Sequence, residues 1–192
     1  LIDKVKITGI MPDENYLIRG YLYIKNDQAF YLNEDGGIYT VEKKILKSLR
    51  ENETELVFSF DASKLKGKDV VVFEELYHEG EMIAKHDDPE DKDQTISFPD
   101  GKTNAGNEQK NSNIINNDGL STIVDEVKYT NLTPGKKYIL KAMLMDKETN
   151  SSIKLENGEE YFVEQELIPE EKDGSVDVVM KIDSSLVVGK TL

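Results

Sequence analysis

Two stretches decide the fold: Leu1-Ile2-Asp3-Lys4-Val5-Lys6-Ile7 and Ile123-Val124-Asp125-Glu126-Val127-Lys128-Tyr129. Asp3 and Asp125 stand 122 positions apart, as do Val5 and Val127, and Lys6 and Lys128. Further along, the same offset joins Pro12 to Pro134, Tyr16 to Tyr138 and Leu22 to Leu144. It still holds where Asp61, Ser63, Gly67 and Lys68 meet Asp183, Ser185, Gly189 and Lys190. A register kept over this span means one module written twice, with loops of nearly equal total length.

Inside the module the apolar period is two. Leu56, Phe58 and Phe60 alternate with Glu55, Val57 and Ser59, and Val176, Val178, Met180 and Ile182 with Asp177, Val179 and Lys181. Such runs read as half-buried strands. The first stretch alternates imperfectly, with Asp3, Val5 and Ile7 opposing Ile2, Lys4 and Lys6. Turn signals separate the runs: Met11-Pro12-Asp13, Asp35-Gly36-Gly37, Glu79-Gly80, Thr133-Pro134-Gly135 and Asn157-Gly158. Short strands at this spacing predict an all-β chain built as an antiparallel β-sandwich, with inward side chains from two sheets forming one core. Asp61 to Leu65 is read as a helical turn with Asp61 as its N-cap. Glu42 to Arg50 is the best competing helical stretch and is read as strand running into loop.

The 192 residues carry 38 Asp+Glu against 24 Lys+Arg, a formal net charge of −14. Phosphate-rich partners are repelled by that charge, which argues against a nucleic-acid binder. No apolar run approaches a membrane span, so no membrane insertion is expected of this stretch. The chain has no cysteine, which rules out disulfides and thiolate metal sites. It opens within a strand-like run at Leu1 and stops at Leu192 without signal peptide, anchor or initiator Met, and is read as a fragment.

Three segments resemble the VaFE repeat, the Thr–Gln (T-Q) ester-bond domain found in stalks of Gram-positive surface adhesins. Val71-Val72-Phe73-Glu74-Glu75-Leu76 resembles its Val-x-Phe-Glu signature. Tyr129-Thr130-Asn131-Leu132-Thr133-Pro134-Gly135-Lys136-Lys137-Tyr138 is similar to its second strand and turn, and Ala84-Lys85-His86 followed by Asp91-Lys92-Asp93-Gln94-Thr95 to its end. The resemblance implies two tandem Ig-like (Cna-B-like) sandwiches, both incomplete. Residues 1–98 form a first repeat lacking its threonine strand. Residues 99–120 hold a linker and the first strand of the next repeat. Residues 121–192 form that second repeat without its Glu, His and Gln part.

The same resemblance implies an intramolecular ester, made when a first-strand Thr hydroxyl attacks the side-chain amide of a last-strand Gln. Glu74 falls on the signature acid, His86 lies eight positions before Gln94, Asp3 and Asp125 fall on the second-strand acid, and Thr103 on the reactive threonine. An amide is a poor electrophile and a neutral hydroxyl a poor nucleophile, so the reaction needs a base and an acid. His86 suits the first role. Two carboxyls held close in a poorly solvated site, Asp3 and Glu74, share a proton and supply the second. Thr103 and Gln94 belong to different repeats, so no ester between them is expected.

Plainer readings stand beside these. Taken alone, Glu74 is an outward strand residue, His86 a solvated loop histidine, and Asp3 and Asp125 turn or edge residues. His78 belongs to a hairpin turn. The acidic run Asp87 to Asp93 fails the calcium-loop pattern, since Lys92 stands where Gly is needed and Phe98 where Glu is needed. The Asn-x-Ser/Thr triplets at Asn52, Asn131 and Asn150 have no use in a bacterial setting. No cofactor or metal is implied. The leading function is a structural stalk module of a cell-wall-anchored extracellular adhesin, partnered by neighbouring repeats and displaying a distal domain for a host ligand. The alternatives are direct host-protein or glycan binding through Tyr21, Tyr23, Tyr31 and Tyr39, and a hydrolase.

Overall fold

Alternating apolar residues become strands throughout the computed structural model, which describes residues 1–46, 51–116 and 118–192. The chain divides into two units, Leu1–Phe98 and Pro99–Leu192. In the first, β1 (Ile2–Thr8) pairs antiparallel with β5 (Glu51–Val57). The second sheet is built on β2 (Asn15–Ile24) and β6 (Asp69–His78), which run antiparallel side by side. The outer edge of β2 carries β3 (Ala29–Phe30) and β4 (Thr40–Leu46). That of β6 carries β7 (Glu81–His86) and β8 (Thr95–Ser97). Every second residue of β2 points inward: Tyr16, Ile18, Leu22 and Ile24 are buried. With Val70 and Val72 of β6 they meet Ile7 of β1, Leu56 of β5 and Phe58 just beyond it in one core. The two sheets therefore close face to face as a sandwich.

The second unit has the same plan. A three-stranded sheet runs β15 (Gly174–Asp183), β10 (Leu120–Thr130), β9 (Asp100–Asn107), all antiparallel. Across from it lie the pairs β11 (Tyr138–Met143) with β14 (Phe162–Leu167), and β12 (Met145–Asp146) with β13 (Ser151–Ser152). Ile123, Leu144, Ile153, Met180, Ile182 and Val187 form its core. Details repeat at the sequence offset. Asp61 accepts from the Ser63 N–H at 2.9 Å to cap a 3-10 turn over Ala62–Leu65, and Asp183 does the same from Ser185 over Ser184–Val187. The Tyr39 hydroxyl donates to the Ser59 carbonyl, and the Tyr161 hydroxyl to that of Lys181.

One expectation changes. Tyr31 and Tyr39 are not surface aromatics. Tyr31 is only 6% exposed and packs edge-on against Tyr39, and both rings pack on Phe60 in the first core. Their hydroxyls reach backbone carbonyls at the rim, which is how a tyrosine tolerates burial. The stretch from Glu42 is strand as expected, as far as Leu46, and Lys47 to Arg50 lie outside the described residues. Among the described residues no helix is long and apolar enough to cross a membrane.

Candidate functional site

Alternation along β6 aims Val70, Val72 and Leu76 at the core, and Glu74 with them. Its side chain enters where an aliphatic one belongs, and the residue is only 6% exposed. Gly20 faces it across β2, and His86 faces it across β7. A methyl group at position 20 would lie 2.7 Å from both Leu56 Cδ1 and Phe58 Cζ, so glycine is required beside the acid. Asp3 enters from the opposite sheet, since Asp3, Val5 and Ile7 are the inward side of β1. It too is 6% exposed.

The two carboxyls meet in a poorly solvated space. Burial, then the neighbouring Asp3 carboxyl and the charge of Asp91, push Glu74 up from an ordinary 4.5 to about 9. Glu74 is therefore protonated at neutral pH. Beyond this pair, Glu74 Oε1 and Asp3 Oδ2 are buried without a hydrogen-bond partner among the described residues. Such groups are costly unless something is meant to meet them. The other Glu74 oxygen lies 3.1 Å from His86 Nδ1, and His86 Nε2 lies 3.0 Å from Asp91 Oδ2. Protonated Glu74 is hydrogen-bonded to the Asp3 carboxyl, and the His86 ring bridges Glu74 and Asp91 through its two nitrogens.

Asp91, from the acidic run Asp87 to Asp93, is a participant to which the sequence assigned no role. Its Oδ1 accepts from the Asp93 N–H at 2.8 Å, and its carbonyl accepts from the Thr95 hydroxyl. It thereby shapes the turn carrying Gln94 while fixing the imidazole. Gln94 immediately precedes β8, and its carbonyl accepts from the Val72 N–H at 3.3 Å, two residues along β6 from Glu74. The first unit thus gathers Asp3, Glu74, His86 and Asp91, with Gln94 on the adjoining turn. No signal in the sequence picks Asp91 from its acidic neighbours, because only the folded loop shows which carboxyl turns back.

The second unit holds a complementary set. Asp125 of β10 lies opposite Ala105 of β9 and Val178 of β15. Burial raises its pKa, while bonds from the Asn104 N–H and the Thr103 hydroxyl pull it back. Asp125 Oδ1 is buried and unpartnered. Thr103 is a hydroxyl held on a carboxylate, beside a cleft of about 680 Å³ also lined by Ile123, Leu144, Met180 and Val187. In the first unit the counterpart of Leu192 is Val70, followed along β6 by the buried Val72. Conversely, β9 lies along β10 in the second unit, whereas β1, the counterpart of β10, has β5 as its one neighbour among the described residues.

No curated protein and no solved structure gave a match in the comparisons made. A family model did, twice: the one described as the T-Q ester bond containing domain covers residues 1–98 and again 100–192. Its domains are structural cross-linking repeats of extracellular surface proteins rather than catalytic enzyme domains. Both units of this chain are covered almost end to end, and the chain belongs to the T-Q ester bond containing domain family.

Proposed function

We propose that the two units are stalk repeats of a cell-wall-anchored adhesin of a Gram-positive bacterium, each closed in its complete form by one Thr–Gln ester. The observation that carries this reading is the complementarity of the two sites. Thr103 rests on Asp125 in one unit. In the other, the counterpart Asp3 shares a hydrogen bond with protonated Glu74, and no threonine donates to it among the described residues. A threonine strand laid along β1 as β9 lies along β10 brings its hydroxyl to Asp3.

In the complete site the Asp3-type carboxylate, rather than His86, whose two nitrogens are engaged by Glu74 and Asp91, orients the hydroxyl and draws its proton. The oxygen then attacks the Gln94 side-chain carbon, the C–O bond forms and the C–N bond breaks. Protonated Glu74 supplies the leaving nitrogen, His86 and Asp91 hold Glu74 in place, and the Thr proton restores the acid. One ammonia leaves for each ester formed. The apolar surround keeps water from the product. This is one self-modification per repeat, and the partners of a repeat are its neighbours in the chain.

The test lengthens the chain past Leu192 with a second copy of residues 71–98, which follows the offset that aligns Leu192 with Val70. The lengthened protein is expected to weigh about 17 Da less than its sequence, the mass of one ammonia. Its Thr103→Ala version is expected to weigh what its sequence does. An unchanged wild-type mass in the folded protein would refute the assignment.

A second reading rests on a different surface. On the face of the β2–β6 sheet away from the core, Tyr23 stacks on Phe73 at 4.9 Å, and Phe30 packs edge-on against both. Tyr21 lies beside Phe30 at 5.7 Å. This half-buried patch fits direct contact with a host protein or glycan. Retention of wild-type adhesion by a Tyr21→Ala, Tyr23→Ala double variant would rule that role out.

A further inference from the structure

Away from the ester site, three metal-ligating side chains converge at one end of the first unit. Glu14 lies on the turn into β2, while His78 ends β6 and Glu79 begins the β6–β7 hairpin turn. One donor atom from each lies within 4.8 Å of the others, an arrangement found nowhere else among the described residues. Glu14 Oε2 is 3.4 Å from His78 Nε2. The imidazole is held in place: Tyr16 and His78 are register partners across β2 and β6, and their rings stack at 4.8 Å and 26°. Tyr16 is itself anchored, its hydroxyl oxygen accepting from the Met11 N–H at 2.9 Å. Both turn residues have positive φ, Glu79 at 51° and Gly80 at 87°. Asn, Asp and Gly suit the first of these positions far better than Glu. What Glu79 brings there is a carboxylate beside His78.

The second unit differs from the first at this spot. Tyr138 is the counterpart of Tyr16, and its hydroxyl oxygen accepts from the Thr133 N–H at 3.0 Å in the same way. The counterpart of Glu14 is Lys136, whose ammonium stands 5.6 Å from the centre of the Tyr138 ring. Where the second repeat has a lysine, the first has the carboxylate of Glu14 beside His78 and Glu79.

We propose that Glu14, His78 and Glu79 bind a divalent transition-metal ion of the zinc type, with water in the fourth position. One nitrogen and two carboxylate oxygens match zinc, whereas calcium and magnesium call for an all-oxygen set. Tetrahedral zinc at its usual bond lengths sets donors about 3.4 Å apart. Glu14 is 47% exposed at its side chain and His78 18%, so the carboxylate can swing in and the ion can enter. The bound ion ties the turn before β2 to the β6–β7 hairpin.

The test is calorimetric titration of the intact chain with zinc chloride, paired with thermal melts. One site with micromolar affinity and a raised melting temperature is expected, with no response to calcium at equal concentration. The chain has two histidines, so His78→Ala is expected to lose binding and His86→Gln to keep it. Glu14→Lys copies the residue of the second unit, and is expected to fold and to lose binding. No zinc response in the wild type, an equal response in Glu14→Lys, loss with His86→Gln in place of His78→Ala, or an equal calcium response would each overturn the proposal.

Discussion

A carboxyl that occupies an aliphatic position makes the stability of the first unit depend on pH in an unusual direction. Glu74 has a folded value of about 9 against an ordinary 4.5. Both states bind the proton below pH 4.5, so the contribution is fully present there. As the pH rises towards 9 the unfolded chain releases the proton and the folded one keeps it, and stability falls. The slope from this one group approaches about 1.4 kcal/mol per pH unit. Denaturant midpoints of the first unit, followed through its amide signals, are expected to drop between pH 5 and pH 8. Glu74→Gln should flatten that dependence, and a wild-type midpoint that does not fall would show that the proton is not retained. Much of this was legible. The Val-x-Phe-Glu run locates Glu74, and the parity of β6 aims it inward once Val70 and Val72 are taken as core. Asp3 was harder, because an acid on the buried side of β1 reads as broken alternation until its partner acid is seen. Asp91 was not legible at all, being one of several carboxylates in a loop whose fold is set by hydrogen bonds rather than by apolar period.

At the level of elements, the two repeats solve one packing problem in two ways. Gly20 of β2 faces Leu56 and Phe58, whose side chains fill the space a methyl group would need. The counterparts in the second unit are Ala142, Val178 and Met180, so a larger residue on β11 meets a shorter and a more flexible one on β15. The exchange conserves volume across the core, which interiors reward. Gly20→Ala alone is expected to destabilise the first unit by about 1–3 kcal/mol. Adding Leu56→Val should recover much of that loss, whereas additive destabilisation in the double variant would show that the two positions do not compensate. Strand edges make a second contrast. The β10 strand is paired on both sides, by β9 and β15, and β1 on one side by β5. Amides of β1 that point away from β5 should exchange with deuterium faster than their β10 counterparts, as unpaired edge groups do. The strands themselves were readable from the period of two. The inward tyrosines were not: Tyr31 and Tyr39 look like surface residues in a polar stretch, and only the rim carbonyls that satisfy their hydroxyls make burial possible.

For the whole molecule, the constant offset of 122 positions carries more than the idea of a repeat, because it says which strand belongs to which core. Thr103 lies on β9, hydrogen-bonded into the second unit along β10, and its hydroxyl is bound to Asp125. Gln94 lies on the turn before β8, bonded into the first unit along β6. In the proposed scheme Gln94 takes a threonine from a strand beside β1, and Thr103 a glutamine that follows a β6-like strand. The 192-residue chain should therefore keep its full sequence mass, with Thr103 and Gln94 both unmodified in peptide digests. Appending residues 71–98 after Leu192 should change that for Thr103 alone. The new ester should join it to the appended copy of Gln94, while the original Gln94 stays an amide. A cross-linked peptide containing the original Gln94 would mean that the strands are shared differently between the two cores. The melting temperature then reads the mechanical consequence separately from the chemistry. A covalent tie between strands at opposite ends of one repeat restricts the unfolded chain over a loop of roughly a hundred residues. By analogy with a disulfide closing a loop of that length, this is worth on the order of 4–5 kcal/mol. The second unit of the lengthened chain should accordingly melt well above its Thr103→Ala version, and the first unit should melt at the same temperature in both.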